Sequence, residues 1–242
     1  MEARLKILLL LLCSILFLQS CAPSQTVKMA AVASRDQKTA YDGTIASQKK
    51  HLVSLSPYEE LGSANANFDL SKYKTIFMLS VQNCGKEPIS IALDNITVIF
   101  EGNSKDWASN KINVQSFDDF IKDFETLYND NEKYFIYNTL YDDWMLAKTG
   151  YFSGEPGKQI FTNRMYQFRK NLKEMRIIKK VVQETLPGII IKQQTIMSGD
   201  TYSGVVICDT RDIAPEIEGN FKVTISVDGE EHKFSFKRSL IK

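Results

Sequence analysis

Only two histidines, His51 and His232, occur among 242 residues, with four cysteines, six prolines and two tryptophans. Two imidazoles leave little for histidine-based metal centres or acid–base relays. Neither sign of charge prevails: 30 Lys and Arg stand against 29 Asp and Glu, a formal net charge of +1, so no global field draws the chain to nucleic acid. The longest apolar run, Ile7 to Leu18, is broken by Ser14. As helix it rises about 18 Å, short of the ~30 Å hydrocarbon core of a bilayer. The sequence holds no Gly-x-Ser-x-Gly elbow, phosphate-cradling glycine loop, dinucleotide fingerprint, His-Glu-x-x-His or Cys-x-x-Cys. These absences argue for a non-enzymatic protein with neither metal nor cofactor. A content of 43% hydrophobic and 24% charged residues excludes disordered, collagen-like, multispan membrane and disulfide-dense classes, leaving a globular chain with a real core.

At the N-terminus, Arg4 and Lys6 precede the short apolar run, as in an export signal. Leu18-Gln19-Ser20-Cys21 resembles the lipobox of bacterial lipoproteins, with Leu at −3, a small residue at −1 and Cys at +1; Gln19 departs from the preferred small or aliphatic −2 residue. The resemblance implies a signal peptide over residues 1–20, cleavage between Ser20 and Cys21, and acylation of the Cys21 sulfur and of the new amine. One acyl chain holds a membrane marginally, whereas two or three hold it stably. It also implies a cell-envelope protein whose partner is the membrane itself. Ala22 fits sorting to an outer membrane in a Gram-negative cell, facing periplasm or cell surface. Removal of residues 1–20 takes away Glu2, Arg4 and Lys6, leaving 28 basic and 28 acidic side chains.

With Cys13 lost and Cys21 acylated, Cys84 and Cys208 remain. In an oxidising compartment they read most simply as one disulfide, with two buried free thiols as the alternative. The loop between them is long, and chain entropy would set the stabilisation at about 4 to 5 kcal/mol.

Residues 21–50 are rich in Ala, Ser, Thr, Gln and Lys without apolar periodicity and read as a flexible tether. A folded domain is expected over 51–242. Strand patterns run through His51 to Leu55, Tyr73 to Asn83, Ile89 to Leu93 and Ile96 to Phe100, with turn signals between them. Phe221 to Val227, Asp228-Gly229 and Glu230 to Arg238 predict a hairpin pairing Ile225 with His232, Val223 with Phe234 and Phe221 with Phe236. Between these β blocks the period changes to 3.6. A helical insertion over 115–186 is expected to hold about three helices, Ser116 to Tyr128, Glu132 to Lys148 and Phe161 to Thr185, with Gly150 to Gly157 a breaker-rich loop.

The fold class is therefore mainly β with an α insertion. Phe77 to Asn83 followed by Lys86-Glu87-Pro88-Ile89, and later Met197-Ser198-Gly199-Asp200-Thr201-Tyr202-Ser203-Gly204, resembles the small immunoglobulin-like domains of bacterial lipoproteins, although Ser198 stands where Pro is usual. That resemblance implies an immunoglobulin-like antiparallel β-sandwich carrying the insertion.

His232 reads as an edge-of-core residue, since its neighbours Glu231 and Lys233 point to the opposite face. Asp118-Asp119 and Asp142-Asp143 read as capping or solvated acids. The insertion is richer: 14 of the chain's 26 aromatic residues lie between Phe117 and Phe168, more than twice the average density. Charge is segregated as well, with a net of −6 over Phe117 to Asp143 and +6 over Arg164 to Lys180. Either the two helices satisfy each other around an aromatic core, or Tyr134, Tyr137, Tyr141 and Trp144 with Arg169, Lys173, Arg176 and Lys180 form a surface for an envelope protein partner or lipid. The function expected is that of a lipid-anchored binding or assembly module. A hydrolase of envelope polymers and a periplasmic carrier of an apolar ligand are the alternatives.

Overall fold

The computed structural model describes residues 26–58, 73–103, 109–214 and 216–241. Its C-terminal hairpin follows from local chemistry. β12 (Gly219–Val227) and β13 (Glu230–Ile241) are joined by Asp228 and Gly229, whose φ values of 48° and 78° are the left-handed pair that a two-residue primed turn requires. Ile225 pairs with His232, Val223 with Phe234 and Phe221 with Phe236, and all six are buried.

Around this hairpin forms a five-stranded antiparallel sheet, ordered β1 (Thr26–Ala31), β13, β12, β7 (Ile96–Gly102) and β8 (Asn110–Ile112). A six-stranded antiparallel sheet runs β2 (Gln37–Thr39), β3 (Ile45–Gln48), β4 (Leu52–Pro57), β5 (Lys74–Gln82), β11 (Thr201–Asp209) and β9 (Val114–Gln115). β6 (Ile89–Ile91) and β10 (Gln194–Ile196) form a separate pair. The two large sheets bury one core in which Val53, Leu55, Phe77, Leu79 and Val81 meet Val98, Phe100, Phe221, Val223 and Phe236. The Phe77 ring lies 5.1 Å from that of Phe236 and stands edge-on to Phe221 at 6.1 Å.

The outer face of the six-stranded sheet is covered too. Ile76, Val205 and Ile207 pack against Phe120, Phe124 and Tyr128 of α1 (Phe117–Lys148) and Met175 and Val182 of α2 (Gly154–Ile189). This second core explains why β5 carries apolar residues on both faces and why β11 is buried from Gly204 to Cys208: a strand covered on both sides loses its polar alternation.

Two expectations are corrected. Residues 26–50 are not a tether, because β1, β2 and β3 occupy much of the segment. β1 is zipped along β13 from Thr26↔Ile241 to Ala31↔Phe236. Pairing with an existing strand edge satisfies its backbone without the apolar periodicity that sequence reading looks for. The insertion holds two helices, not three. Asn129-Asp130-Asn131 contains no Gly or Pro, and α1 continues through it for 32 residues. α2 begins inside the expected loop, with Pro156 in the first turn where its missing N–H is not needed, and runs past Pro187 to Ile189.

The helices form an antiparallel hairpin whose register is read from Glu125–Gln183, Asn129–Lys179, Glu132–Arg176 and Asp143–Arg164. The fully buried apolar residues stop at Tyr128 and Met175 on the tipward side. Asp123 marks where α1 passes the strand ends: Lys74, the first residue of β5, lies 3.0 Å from Asp123 and 3.3 Å from Asp209, the last residue of β11. From Asp123 to Lys148 the helix extends a further 37 Å or so. The helical hairpin is thus an arm projecting past one end of the sheets. Thr26 lies at that same end. Lys50 and His51 contact Asp228 at the opposite end, where β4 begins beside Gln82, whereas Thr26 pairs with Ile241 at the far end of β13 from the turn.

Candidate functional site

Beyond the sheets, the arm needs its own seam. Phe135 stacks on Phe168 at 5.5 Å, Arg164 Nε donates to Asp143 Oδ1 at 2.6 Å, and Arg176 Nε donates to Glu132 Oε1 at 3.0 Å. Some of the charge segregated in the sequence is therefore neutralised across the hairpin. The tip is closed by a tight fold of Phe152 over α2: a Cβ on Gly157 would lie 2.2 Å from the Phe152 carbonyl carbon, so only glycine fits.

The outer faces are only partly satisfied in this way: Arg176 is shared with the seam and Lys180 lies 3.8 Å from Glu184. Tyr134, Tyr137, Tyr141 and Trp144 follow one another at intervals of three, four and three residues, which keeps them on one face of α1. They are 68%, 66%, 48% and 51% exposed. Tyr137 stacks on Tyr141 at 6.1 Å, Tyr141 meets Trp144 at 6.0 Å, and Lys148 Nζ sits 3.9 Å over the Trp144 ring. Lys133, Ile136 and Leu140 complete an open groove with Tyr137, Tyr141 and Trp144. On α2, Arg169, Lys173, Arg176 and Lys180 follow at four, three and four residues and line a second open groove with Leu172 and Ile177. All eight residues of the surface expected from sequence are exposed. Ile136 and Ile177, which also line these grooves, were not anticipated.

The cysteine expectation is corrected by register. Cys208 pairs with Thr75, while Cys84 lies nine residues further along the β5 direction, about 30 Å away. Both thiols are free, Cys84 exposed and Cys208 buried. Burial pushes the Cys208 thiol up to about 12. Ser20 and Cys21 lie outside the described residues.

Two clusters join residues distant in sequence. Lys74, its side chain buried, is shared by Asp123 and Asp209, and Arg211 bonds both acids. Although burial opposes it, hydrogen bonds from Gln115 and Lys74 hold Asp123 below the usual carboxylate range. At the opposite end, His51 and His232 are both buried. Asp119 accepts from the capping Ser116 hydroxyl, some 36 Å along α1 from Asp143, so the two acid pairs do not converge. Among the described residues no cluster of three or more His, Cys, Asp or Glu is arranged to hold a metal ion, and no helix is long and apolar enough to cross a membrane.

No protein-family model, no curated protein and no solved structure matches the chain.

Proposed function

We propose that the chain is a lipid-anchored protein of the cell envelope, an immunoglobulin-like β-sandwich held by acyl groups on Cys21, acting as a non-enzymatic binding or assembly module through its helical arm. The observation that carries this reading is the row Tyr134, Tyr137, Tyr141 and Trp144, four large aromatics left in water on the part of the arm beyond Tyr128 and Met175, which adds no fully buried apolar side chain to the core. Tyr and Trp bury much area with few rotatable bonds, which suits them to contact surfaces. The neighbouring basic row on α2 supplies a second contact of complementary chemistry for an acidic partner.

Photocrosslinking residues placed at Tyr137 and at Lys173 in growing cells test the reading. Light-dependent adducts from the arm, absent from a control position on Lys222, are the expected result. Equal yields at all three positions would overturn it. Palmitate labelling that persists in Cys21→Ala would remove the anchor.

A further inference from the structure

We infer that the aromatic face of α1 rests on the bilayer to which Cys21 is anchored, so that the arm lies against the membrane surface. The inference builds on the lipid-anchor reading and adds the occupant of the aromatic groove.

The argument is one of lengths and ends. Thr26 is already paired in β1, five residues after Cys21, and five residues span at most about 18 Å. A protein tethered so briefly keeps the Thr26 end of its sheets close to the bilayer. The arm leaves the sheets at this same end, where Asp123 meets Lys74, and extends roughly 37 Å further. An arm about twice as long as the tether, projecting toward the anchored end, reaches the surface and leans along it. The alternative reading of 21–50 as a coil would have let the domain float free; the strands in 26–48 remove that slack.

The chemistry of the face agrees. Tyr134, Tyr137, Tyr141 and Trp144 are the ring types that settle at the boundary of headgroups and acyl chains, and Leu140 and Met145, also exposed, add apolar depth. Lys133 and Lys148 flank the row; their stems lie along apolar surface while the ammonium groups reach phosphates. No helix among the described residues is apolar enough to span, which fits a helix lying in the interface.

The test uses Trp144 as the probe. In the full chain carrying Trp107→Phe, Trp144 is the sole tryptophan. The chain is reconstituted from detergent into vesicles of phosphatidylethanolamine and phosphatidylglycerol containing a dibrominated phospholipid, which quenches indole on contact. Palmitate labelling is read on the same preparation. Quenching of Trp144, reduced about tenfold in apparent partition by Tyr137→Ser with Tyr141→Ser while circular dichroism stays unchanged, is the expected result. An acylated chain whose Trp144 is not quenched overturns the inference and leaves the anchor standing. If no acyl group is found on Cys21, the anchor reading fails by itself, and the same unacylated chain mixed with vesicles decides the contact: quenching sustains it and its absence overturns it. Emission that shifts with protein concentration and ignores lipid assigns the face to a second copy and overturns it.

Discussion

His232 Nδ1 and Ser47 Oγ lie 3.0 Å apart, a buried hydrogen bond that ties β13 of one sheet to β3 of the other. The second ring nitrogen of His232 is buried without a hydrogen-bond partner, with Glu230 at 4.0 Å and the charges of Lys49 and His51 nearby.

Burial, reinforced by Lys49, pushes the His232 imidazole below its ordinary value of 6.5. Below that value the unfolded chain takes up a proton that the folded chain refuses. Stability is therefore complete above pH 6.5 and is lost as pH falls toward the lowered folded value. Urea midpoints measured between about pH 7.5 and about pH 5.5 are expected to decline. His232→Gln, which keeps a polar group near Ser47, flattens the decline. An equal decline in that variant would exonerate His232. A second loss is expected below pH 3.8, where Asp123, held low against burial by hydrogen bonds from Gln115 and Lys74, and Asp209, held low against burial by hydrogen bonds from Arg211, begin to be protonated.

Cys84 and Cys208 are expected to behave as two unlike thiols. Iodoacetamide labels Cys84 in the native chain, whereas Cys208, buried and with its pKa raised to about 12, reacts only on unfolding. Mass spectrometry under non-reducing conditions that found one linked peptide would contradict the register.

Lys74→Met removes a buried cation shared by two acids. Arg211 remains beside both, so the cost is about 2 kcal/mol rather than the full penalty of an orphaned buried pair. Lys222→Ala, breaking the exposed pair with Glu101, changes stability by less than about 0.5 kcal/mol. Chemical denaturation of the two variants side by side checks the contrast.

Phe124 and Tyr137 sit about three and a half turns apart on one helix with opposite roles. Phe124→Ala opens the core between α1 and the sheet and costs about 3 to 4 kcal/mol. Tyr137→Ala lies within about 0.5 kcal/mol of the parent while reducing the contacts of the arm. Thermal unfolding beside crosslinking yield separates the two.

Gly157→Ala forces the fold of Phe152 over α2 to open. A loss of about 1 to 2 kcal/mol, seen as faster amide exchange confined to the tip, is expected.

Much of this molecule is legible locally. The Asp228-Gly229 turn has a geometry that few other residue pairs adopt easily, so it set the register of β12 and β13 and placed Phe221, Val223 and Ile225 in the core. The 3.6-residue period announced the insertion, and the spacing of Tyr134, Tyr137, Tyr141 and Trp144 already put them on one face. What sequence left open was whether that face is core or surface. An amphipathic period shows which residues share a side of a helix, not what that side meets.

Other features have no local signature. β1 is ordered by the free edge of β13, more than two hundred residues away, and the continuity of α1 through Asn129-Asp130-Asn131 owes to a partner helix supplying Arg176 and Lys179. Lys74, Asp123, Asp209 and Arg211 meet only because the strands and α1 end together. By itself the sequence determined the strand alternation, the tight turn, the helical faces and the opposed charges, since each depends on residues within a turn or two. The tertiary structure alone decided that Cys84 and Cys208 are far apart, that only part of the opposed charge is neutralised, and that the arm leaves the sheets at the end where β1 begins. Those outcomes depend on which elements become neighbours, and that is a property of the whole packed chain.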